Sequence, residues 1–263
     1  MTDKKPLILV TNDDGITAPG IRHLVKIMKE IGDVVIVAPD TQQSGKGHAI
    51  TVGNLLFCDP IALPKNVTHK AYSCSGTPAD CVKIACRSIL KRTPDLCVSG
   101  INHGSNSSIN VIYSGTMSAA IEAGTMGIPA IGFSLLDFSW DADFEPSSKF
   151  VKKIAQNVLK RGLPKGVVLN VNIPNLSESK IKGVRVCRQA KAHWLEKFDK
   201  RSTPNGRDYY WPVGKFIVEE GEVDLEDTDV WALENGYVSI VPIQFDLTAH
   251  ESLEKLKKST YEY

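Results

Sequence analysis

Two adjacent carboxylates follow the first apolar run of the chain, and their placement suggests chemistry. Leu7–Val10 is a short apolar run of the kind that forms a buried strand, and Asp13, Asp14 and Gly15 come just after it. Neighbouring side chains on a strand point to opposite faces, so the two carboxylates can converge only if the backbone leaves the strand. Gly15 permits such a turn because glycine tolerates a positive φ.

The charge of this carboxylate pair favours a bound cation. Two like charges held close together raise each other's pKa unless a cation lies between them. A hard divalent metal, which prefers oxygen ligands, is a natural partner for such a pair. A solvated turn is the alternative, because Asn12-Asp13-Asp14-Gly15 consists of ordinary turn residues. The pair alone leaves both interpretations open.

Three further polar clusters stand at the ends of predicted strands or at the start of a predicted helix. They are Asp40–Gly45 after the apolar run Val34–Ala38, Ser99–Asn106 after the strand-like Asp95–Val98, and Tyr113–Thr116 at the head of a helix. Parallel strands bring such loops to one edge of the sheet, where the ligands of open α/β proteins bind. The sequence therefore predicts one site built from all four clusters.

The side chains in these clusters suit a metal and an anion. Ser44 and Asn102 offer hard oxygen donors for Mg²⁺ or Mn²⁺ beside the aspartates. Ser114-Gly115-Thr116 begins a helix whose free amides and dipole favour a phosphate, and Gly104 would let the backbone approach it. The plainer alternatives are a helix N-cap and a surface loop. His103, in the same cluster, is open to either proton transfer or a simple polar contact.

Several other chemistries lack their motifs in this chain. Ser44-Gly45-Lys46-Gly47 resembles part of a phosphate loop, but neither Gly-x-x-x-x-Gly-Lys-[Ser/Thr] nor Gly-x-Gly-x-x-Gly after a strand is present. The six cysteines form no Cys-x-x-Cys pair, and several sit among apolar residues, which is typical of buried structural thiols. A receiver-type signalling domain would need a phosphoacceptor aspartate after its third strand and a lysine after its fifth, and the chain offers neither.

Up to about Pro174 the chain alternates strand-like and helix-like segments. The predicted strands are Leu7–Val10, Val34–Ala38, His69–Cys74, Asp95–Ser99, Pro129–Leu135 and Val167–Asn172, and the predicted helices are Pro19–Glu30, one opened by Thr77-Pro78-Ala79-Asp80, Ser114–Ala123 and Phe144–Lys160. Continuous apolar strands alternating with amphipathic helices predict a mostly parallel sheet covered by helices on both faces. The expected fold is a Rossmann-like, three-layer α/β sheet.

Beyond Pro174 the pattern changes to strands, hairpins and a terminal helix. Aromatic residues fall among polar and turn residues, Gly236–Pro242 resembles a strand, and Ala249–Lys258 resembles a charged helix; the aromatic residues are Trp194, Tyr209, Tyr210 and Trp211. We therefore predict a core at residues 1–174 and a smaller extension at 175–263. The boundary is soft, because Val167–Asn172 can belong to the main sheet.

Composition sets limits on partners and compartment. The 263 residues are 42% hydrophobic and 23% charged, which is ordinary for a globular protein. A formal net charge of +1 gives no field that attracts nucleic acid or a membrane, so neither partner is expected. No apolar run approaches the roughly 20 residues of a membrane span, and Leu7–Val10 is too short for a signal-peptide core. The expectation is a soluble, cytoplasmic protein.

Seven groups of residues along the chain carry a family resemblance. They are Asn12-Asp13-Asp14-Gly15; Ala38-Pro39-Asp40 with Ser44-Gly45; Ser75–Val82; Ser99–Asn102 with Gly104 and Asn106; Tyr113–Thr116 with Ala119-Ala120 and Glu122; Leu169–Pro174; and Thr228-Asp229 with Gly236–Ser239. In this order they resemble the motifs of the SurE family (survival protein E), metal-dependent 5′/3′-nucleotidases. The resemblance covers nearly the whole chain, but residues 137–145 and 189–212 match little, and Ala123 stands where glycine is expected.

The resemblance implies a ligand set, an activity and an assembly. One divalent metal ion, Mg²⁺ or Mn²⁺, would be held by Asp13, Asp14, Ser44 and Asn102. The substrates would be nucleoside monophosphates, cleaved at the 5′ or 3′ position, with short polyphosphate as a further substrate of some members. The assembly would be a homodimer or homotetramer that exchanges C-terminal elements, so the core at 1–174 would be catalytic and the extension at 175–263 would serve oligomerisation.

The resulting hypothesis is metal-assisted hydrolysis of a phosphate monoester. Asp13, Asp14 and Asn102 are the predicted catalytic residues, and the metal that they hold with Ser44 would bind a phosphate oxygen and orient or activate a water. The predicted phosphate-binding residues, whose backbone amides stabilise charge on the phosphoryl group, are Gly104, Ser105, Asn106, Ser114, Gly115 and Thr116. The sequence does not distinguish which aspartate accepts a proton. A non-catalytic nucleotide-binding regulator on the same fold is the alternative, and the adjacent negative charges argue against it.

Overall fold

The computed structural model describes residues 5–62, 69–222 and 225–258, so the outer ends of both predicted segments, 1–174 and 175–263, lie outside it. Its strands are β1 (Leu7–Thr11), β2 (Asp33–Pro39), β3 (Cys58–Pro60), β4 (Lys70–Cys74), β5 (Leu96–His103), β6 (Ala130–Leu135), β7 (Val167–Ile173), β8 (Gly183–Val186), β9 (Ala192–Ser202), β10 (Asp208–Val218) and β11 (Tyr237–Gln244). Its α-helices are α1 (Pro19–Met28), α2 (Pro78–Ile84), α3 (Gly115–Thr125), α4 (Ser148–Arg161), α5 (Asp229–Glu234) and α6 (His250–Lys258).

Nine of the described strands form one sheet in the order β3-β4-β2-β1-β5-β6-β7-β11-β8. The pairs β2–β4, β1–β2, β1–β5, β5–β6, β6–β7 and β8–β11 are parallel. The pairs β3–β4 and β7–β11 are antiparallel. The mostly parallel sheet predicted from the sequence is confirmed.

Helices cover both faces of this sheet because its strands are apolar on both sides. Ile8 and Val10 of β1 lie in one buried cluster with side chains of α1 and α4. Leu9, whose side chain points to the opposite face, lies in a second cluster with side chains of α2 and α3. The three-layer α/β architecture is therefore confirmed.

The start of α2 follows the predicted local signals. Thr77 is the N-cap, and its hydroxyl accepts a hydrogen bond from the Asp80 amide at 3.2 Å. The Asp80 carboxylate in turn accepts from the Thr77 amide at 3.0 Å, which completes a capping box. Pro78 occupies the first turn, where its missing N–H costs nothing.

The main sheet continues past the predicted boundary at residue 174. Strands β11 and β8 extend it beyond β7, so part of the predicted extension is built into the core sheet. Strands β9 and β10 form a separate two-stranded hairpin whose side chains are mostly exposed, and α6 has no buried residue. None of the described helices has the length and apolar character needed to cross a bilayer.

Candidate active site

Loops that follow neighbouring strands meet at the carboxyl edge of the sheet. Strands β2, β1 and β5 are adjacent, and polar residues from the loops after them line one cleft of about 460 Å³. The predicted site residues that line it are Asp13, Ser44, Asn102, Ser105, Asn106 and Ser114. All four polar clusters therefore contribute to a single cleft.

Asp13 is held against the start of α3. Its carboxylate accepts a hydrogen bond from the Thr116 hydroxyl at 2.5 Å. A Cβ on Gly115 would lie 2.6 Å from the Cβ of Asp13, so the glycine makes this close approach possible. The Asp13 carbonyl also accepts from the Gln43 amide at 2.7 Å, which ties the loop after β1 to the loop after β2.

Asp14 lies in the turn that the sequence predicts. Strand β1 ends at Thr11, and Gly15 has a φ of +97°, in the region that glycine alone adopts freely. The Asp14 carboxylate accepts a hydrogen bond from the His103 amide at 3.3 Å. This bond connects the loop after β1 to the end of β5.

Burial raises the pKa of both aspartates, so each loses its proton less readily than a free carboxyl group. Burial first, and then the charge of Asp14, raise the pKa of Asp13 to about 6, although the hydrogen bond from Thr116 partly opposes both effects. Burial also raises the pKa of Asp14, against the hydrogen bond from the His103 amide. A cation beside the pair would stabilise both carboxylates, so the electrostatics favour a metal over a solvated turn.

The predicted ligands form a set of hard oxygen donors. The Asn102 amide nitrogen donates to the Gly104 carbonyl at 2.8 Å, which leaves its side-chain oxygen to act as a ligand. The Ser44 hydroxyl accepts from the Gln42 side chain at 2.9 Å. Among the described residues, no group of three or more His, Cys, Asp or Glu side chains is placed to hold a metal. The donors present, two carboxylates, a hydroxyl and an amide oxygen, fit Mg²⁺ or Mn²⁺ better than zinc.

Two of the amides predicted to bind phosphate already have acceptors. The Gly104 amide donates to the Leu135 carbonyl at 2.9 Å, and the Asn106 amide donates to the Asn172 side chain at 2.8 Å. Within the described chain, the Ser105 amide has no such acceptor. The amides of Gly104 and Asn106 are therefore already used by the sheet and by Asn172, and a phosphate-binding role for these two residues stays a prediction.

The residues at the start of α3 cap the helix and donate hydrogen bonds to Asp13. The Ser114 hydroxyl accepts from the Met117 amide at 3.0 Å, which is ordinary N-capping. The Thr116 amide and hydroxyl both bond to Asp13 and lower its pKa. The helix dipole therefore stabilises this carboxylate.

Gly104 lies against an aromatic ring. It has a φ of +94°, and a Cβ there would lie 2.2 Å from the Cε1 atom of Phe138. The Phe138 side chain is 81% exposed and borders the cleft. The glycine therefore permits the contact with Phe138, and close approach of an anion to its backbone stays a prediction.

The backbone amide of His103 positions Asp14, and contacts made by the His103 ring hold the side chain in place. Its Nδ1 is 2.7 Å from the Ser139 carbonyl, and its ring stacks on Trp140 with the centroids 5.4 Å apart. Its Nε2 is buried and has no hydrogen-bond partner in the described part of the chain. Proton transfer and a purely polar role both stay open for this ring.

Two asparagines support the site without having been assigned a role. Asn172 accepts from the Asn106 amide, and Asn170 donates to the Asn106 carbonyl at 2.8 Å. Both are buried in β7. Their signal in the sequence is the alternation of two amides with apolar residues in Leu169–Pro174, because a buried amide needs a specific partner.

Comparisons with known proteins agree with the residue-level resemblance. A family model described as "Survival protein SurE" matches residues 8–196. Curated proteins named 5′-nucleotidase SurE from Christiangramia forsetii and Flavobacterium johnsoniae are 69% and 68% identical, each over 97% of both chains. A crystal structure titled as the SurE protein from Aquifex aeolicus has a TM-score of 0.82 and 40% identity, covering 97% of this chain and 99% of that one. On sequence and fold together, the chain belongs to the SurE family.

Proposed function

We propose that the protein is a metal-dependent nucleotidase that hydrolyses nucleoside 5′-monophosphates to a nucleoside and phosphate. The proposal depends on one observation, a buried carboxylate pair formed by Asp13 and Asp14, of which Asp13 lines a cleft together with Ser44 and Asn102. A buried pair of negative charges repels a phosphate unless a cation is bound, and supports its hydrolysis when one is. The names of the two close relatives support the same activity.

Asp13, Asp14, Ser44 and Asn102 are the residues that would hold one divalent cation, Mg²⁺ or Mn²⁺. When bound, such a cation supplies a Lewis acid for a phosphate oxygen and for the attacking water. Thr116 and the Gly104 carbonyl fix the orientations of Asp13 and Asn102. These bonds pre-organise the ligands before substrate arrives.

The remaining groups of the cleft act on the phosphoryl oxygens. The amides of Ser105 and Gly115 would donate to these oxygens and stabilise the charge that develops there. Neither amide distinguishes a phosphate at the 5′ position of the sugar from one at the 3′ position. Nucleoside 3′-monophosphates and short polyphosphate are therefore proposed as further substrates.

The test is phosphate release from 5′-AMP and 3′-AMP in Mg²⁺, in Mn²⁺ and in EDTA. We expect release with either metal and none with chelator. Asp13→Asn removes one charge of the pair and should lower turnover on the order of 10²–10⁴-fold. Asp40→Asn is the matched control, because Asp40 is an exposed carboxylate after the neighbouring strand β2.

Three results would contradict the proposal. They are activity that resists EDTA, normal turnover in Asp13→Asn, and binding of AMP by the wild-type protein without phosphate release. The last result would favour the non-catalytic nucleotide-binding regulator.

A further inference from the structure

Four aromatic side chains border the cleft beside the proposed metal ligands. They are Tyr113, Phe138, Trp194 and Phe216. Phe138, Tyr113 and Trp194 are 81%, 51% and 43% exposed. Exposed apolar surface that adjoins a polar centre marks a ligand site more often than it serves the fold. These rings therefore need a function outside the hydrophobic core.

Phe138 is placed beside a proposed metal ligand. Its ring lies against Gly104, where no side chain can intervene. The Gly104 carbonyl accepts the hydrogen bond that orients Asn102. The ring thus lies beside the backbone next to the proposed metal site, and the high exposure of Phe138 leaves the rest of the ring open to a ligand.

Trp194 reaches the same cleft from the β9–β10 hairpin. It pairs with Phe216 in the hairpin register, and the two rings meet edge to face with centroids 5.6 Å apart. The indole N–H donates to the Asn110 side chain at 2.8 Å. This bond satisfies the polar atom of Trp194 and fixes the hairpin to the loop before α3, with the ring at the cleft.

We propose that Phe138 and Trp194 bind the nucleobase of the substrate by stacking. This inference rests on the proposed nucleotidase function, and it adds the part of the substrate that the metal site does not contact. The cleft, at about 460 Å³, falls within the range of about 300–1,000 Å³ typical of small-molecule sites. Stacking on an aromatic side chain strengthens binding of any base, because every base has a π-face.

The polar side chains nearby indicate weak discrimination between bases. The side-chain oxygen of Asn110 is bonded to Trp194, Ser105 donates to Ser107 at 2.8 Å, and the amide nitrogen of Asn106 donates to Ser134 at 2.9 Å. A site that selects one base needs free donors and acceptors aimed at the base edge. We therefore expect all four bases to be accepted, with purines bound more tightly than pyrimidines because they offer a larger stacking surface.

The test compares AMP with ribose 5-phosphate, which carries the same phosphate and sugar but no base. For Phe138→Ala and for Trp194→Ala we expect KM for AMP to rise roughly tenfold, with kcat little changed. The kinetics on ribose 5-phosphate should stay at the wild-type level. Phe138→Tyr keeps an aromatic face and should restore the KM for AMP. Trp211→Ala is the matched control, because Trp211 pairs with Asp199 and lies on the opposite face of the hairpin.

Binding of adenosine, measured by calorimetry on the same variants, separates the two proposals. If the wild-type protein releases no phosphate but binds adenosine less tightly after Phe138→Ala, the nucleotidase proposal fails and the base site stands. If the protein is active and Phe138→Ala leaves both AMP kinetics and adenosine affinity unchanged, the base site fails. Equal losses on AMP and ribose 5-phosphate would also overturn it, because they would indicate general damage to the cleft.

Discussion

At the scale of single residues, the buried carboxylate of Asp13 lowers the free energy of unfolding at neutral pH. Asp13 is buried with a pKa of about 6, above its ordinary value of 3.8. Between these two pH values the folded protein keeps a proton that the unfolded chain has lost. The free energy of unfolding therefore falls as pH rises through this window, and the loss is complete above about pH 6. The buried charge of Asp13 therefore lowers the stability of the metal-free fold, and a bound cation would offset this cost.

Asp13→Asn should therefore raise the stability of the metal-free protein at pH 8. The asparagine can still accept from Thr116 but carries no buried charge, so we expect a gain on the order of 1–3 kcal/mol. Thermal unfolding in EDTA measures this gain, because each kcal/mol of added stability raises the midpoint by about 2–4 °C for a chain of this size.

The gain should shrink as the pH is lowered from 6 towards 4, where wild-type Asp13 is protonated in the folded state. Saturating Mg²⁺ should raise the midpoint of the wild-type protein and leave the variant nearly unchanged. A pH-independent gain, or none at pH 8, would contradict the buried-charge account.

The acidic pair could be predicted from the sequence, and its surroundings could not. Asp13, Asp14 and Gly15 are neighbours in the chain, so residue types alone fix the turn and the charge conflict. Phe138 lies far along the chain from Gly104, in a stretch without periodicity, and no local rule brings the two together. Gly104 itself gives no signal for this contact, because a glycine has the same signature whether it accommodates an anion or a ring.

At the scale of elements, the strands that are continuous apolar runs could be predicted from the sequence, and the short edge strands could not. Strands β1, β2, β5 and β6 are buried runs, and the sequence predicts all of them. The edge strands β3 and β8 are short, with three and four residues, and only partly buried, so they lack that signal. Pairing with β4 and β11 creates these strands, and pairing is a tertiary effect.

Asp229, at the start of α5, connects two segments that lie far apart in the sequence and lead to the site. Its buried carboxylate accepts from the Ser108 amide at 2.7 Å and from the Ala190 amide at 2.9 Å. Ser108 begins the turn that leads to the start of α3. Ala190 precedes the hairpin that carries Trp194. One carboxylate thus connects the extension to the loop beside the cleft.

Asp229→Ala should destabilise the protein by about 2–4 kcal/mol, because it leaves these amides buried without an acceptor. Urea unfolding followed by circular dichroism measures the loss. Asp227→Ala is the control, since Asp227 is exposed and its ion pair with Arg188 should contribute under about 1 kcal/mol. Similar losses in the two variants would show that Asp229 is not an anchor.

At the scale of the whole molecule, the extension divides into a part inside the core sheet and a part outside it. Strands β8 and β11 complete the sheet, whereas the β9–β10 hairpin and α6 leave apolar side chains uncovered. Alternate residues of the hairpin share a face, and Phe198 lies on the face of Trp194, with Tyr210 diagonally opposite across the register. Phe198 and Tyr210 are 62% and 58% exposed. A second copy of the chain is the partner expected to cover them.

The double variant Phe198→Glu, Tyr210→Glu should therefore shift the protein from a dimer or tetramer towards a single chain. Two added charges on one apolar face oppose its burial against a copy, while both positions are exposed and leave the monomer core intact. Light scattering coupled to size-exclusion chromatography gives the mass. Lys197→Glu, on the other face of the hairpin, is the matched control and should keep the wild-type mass. A wild-type protein that elutes as a single chain, or a double variant of unchanged mass, would show that this face does not join copies. In that case the aromatic face would serve the cleft alone, through Trp194 at its base.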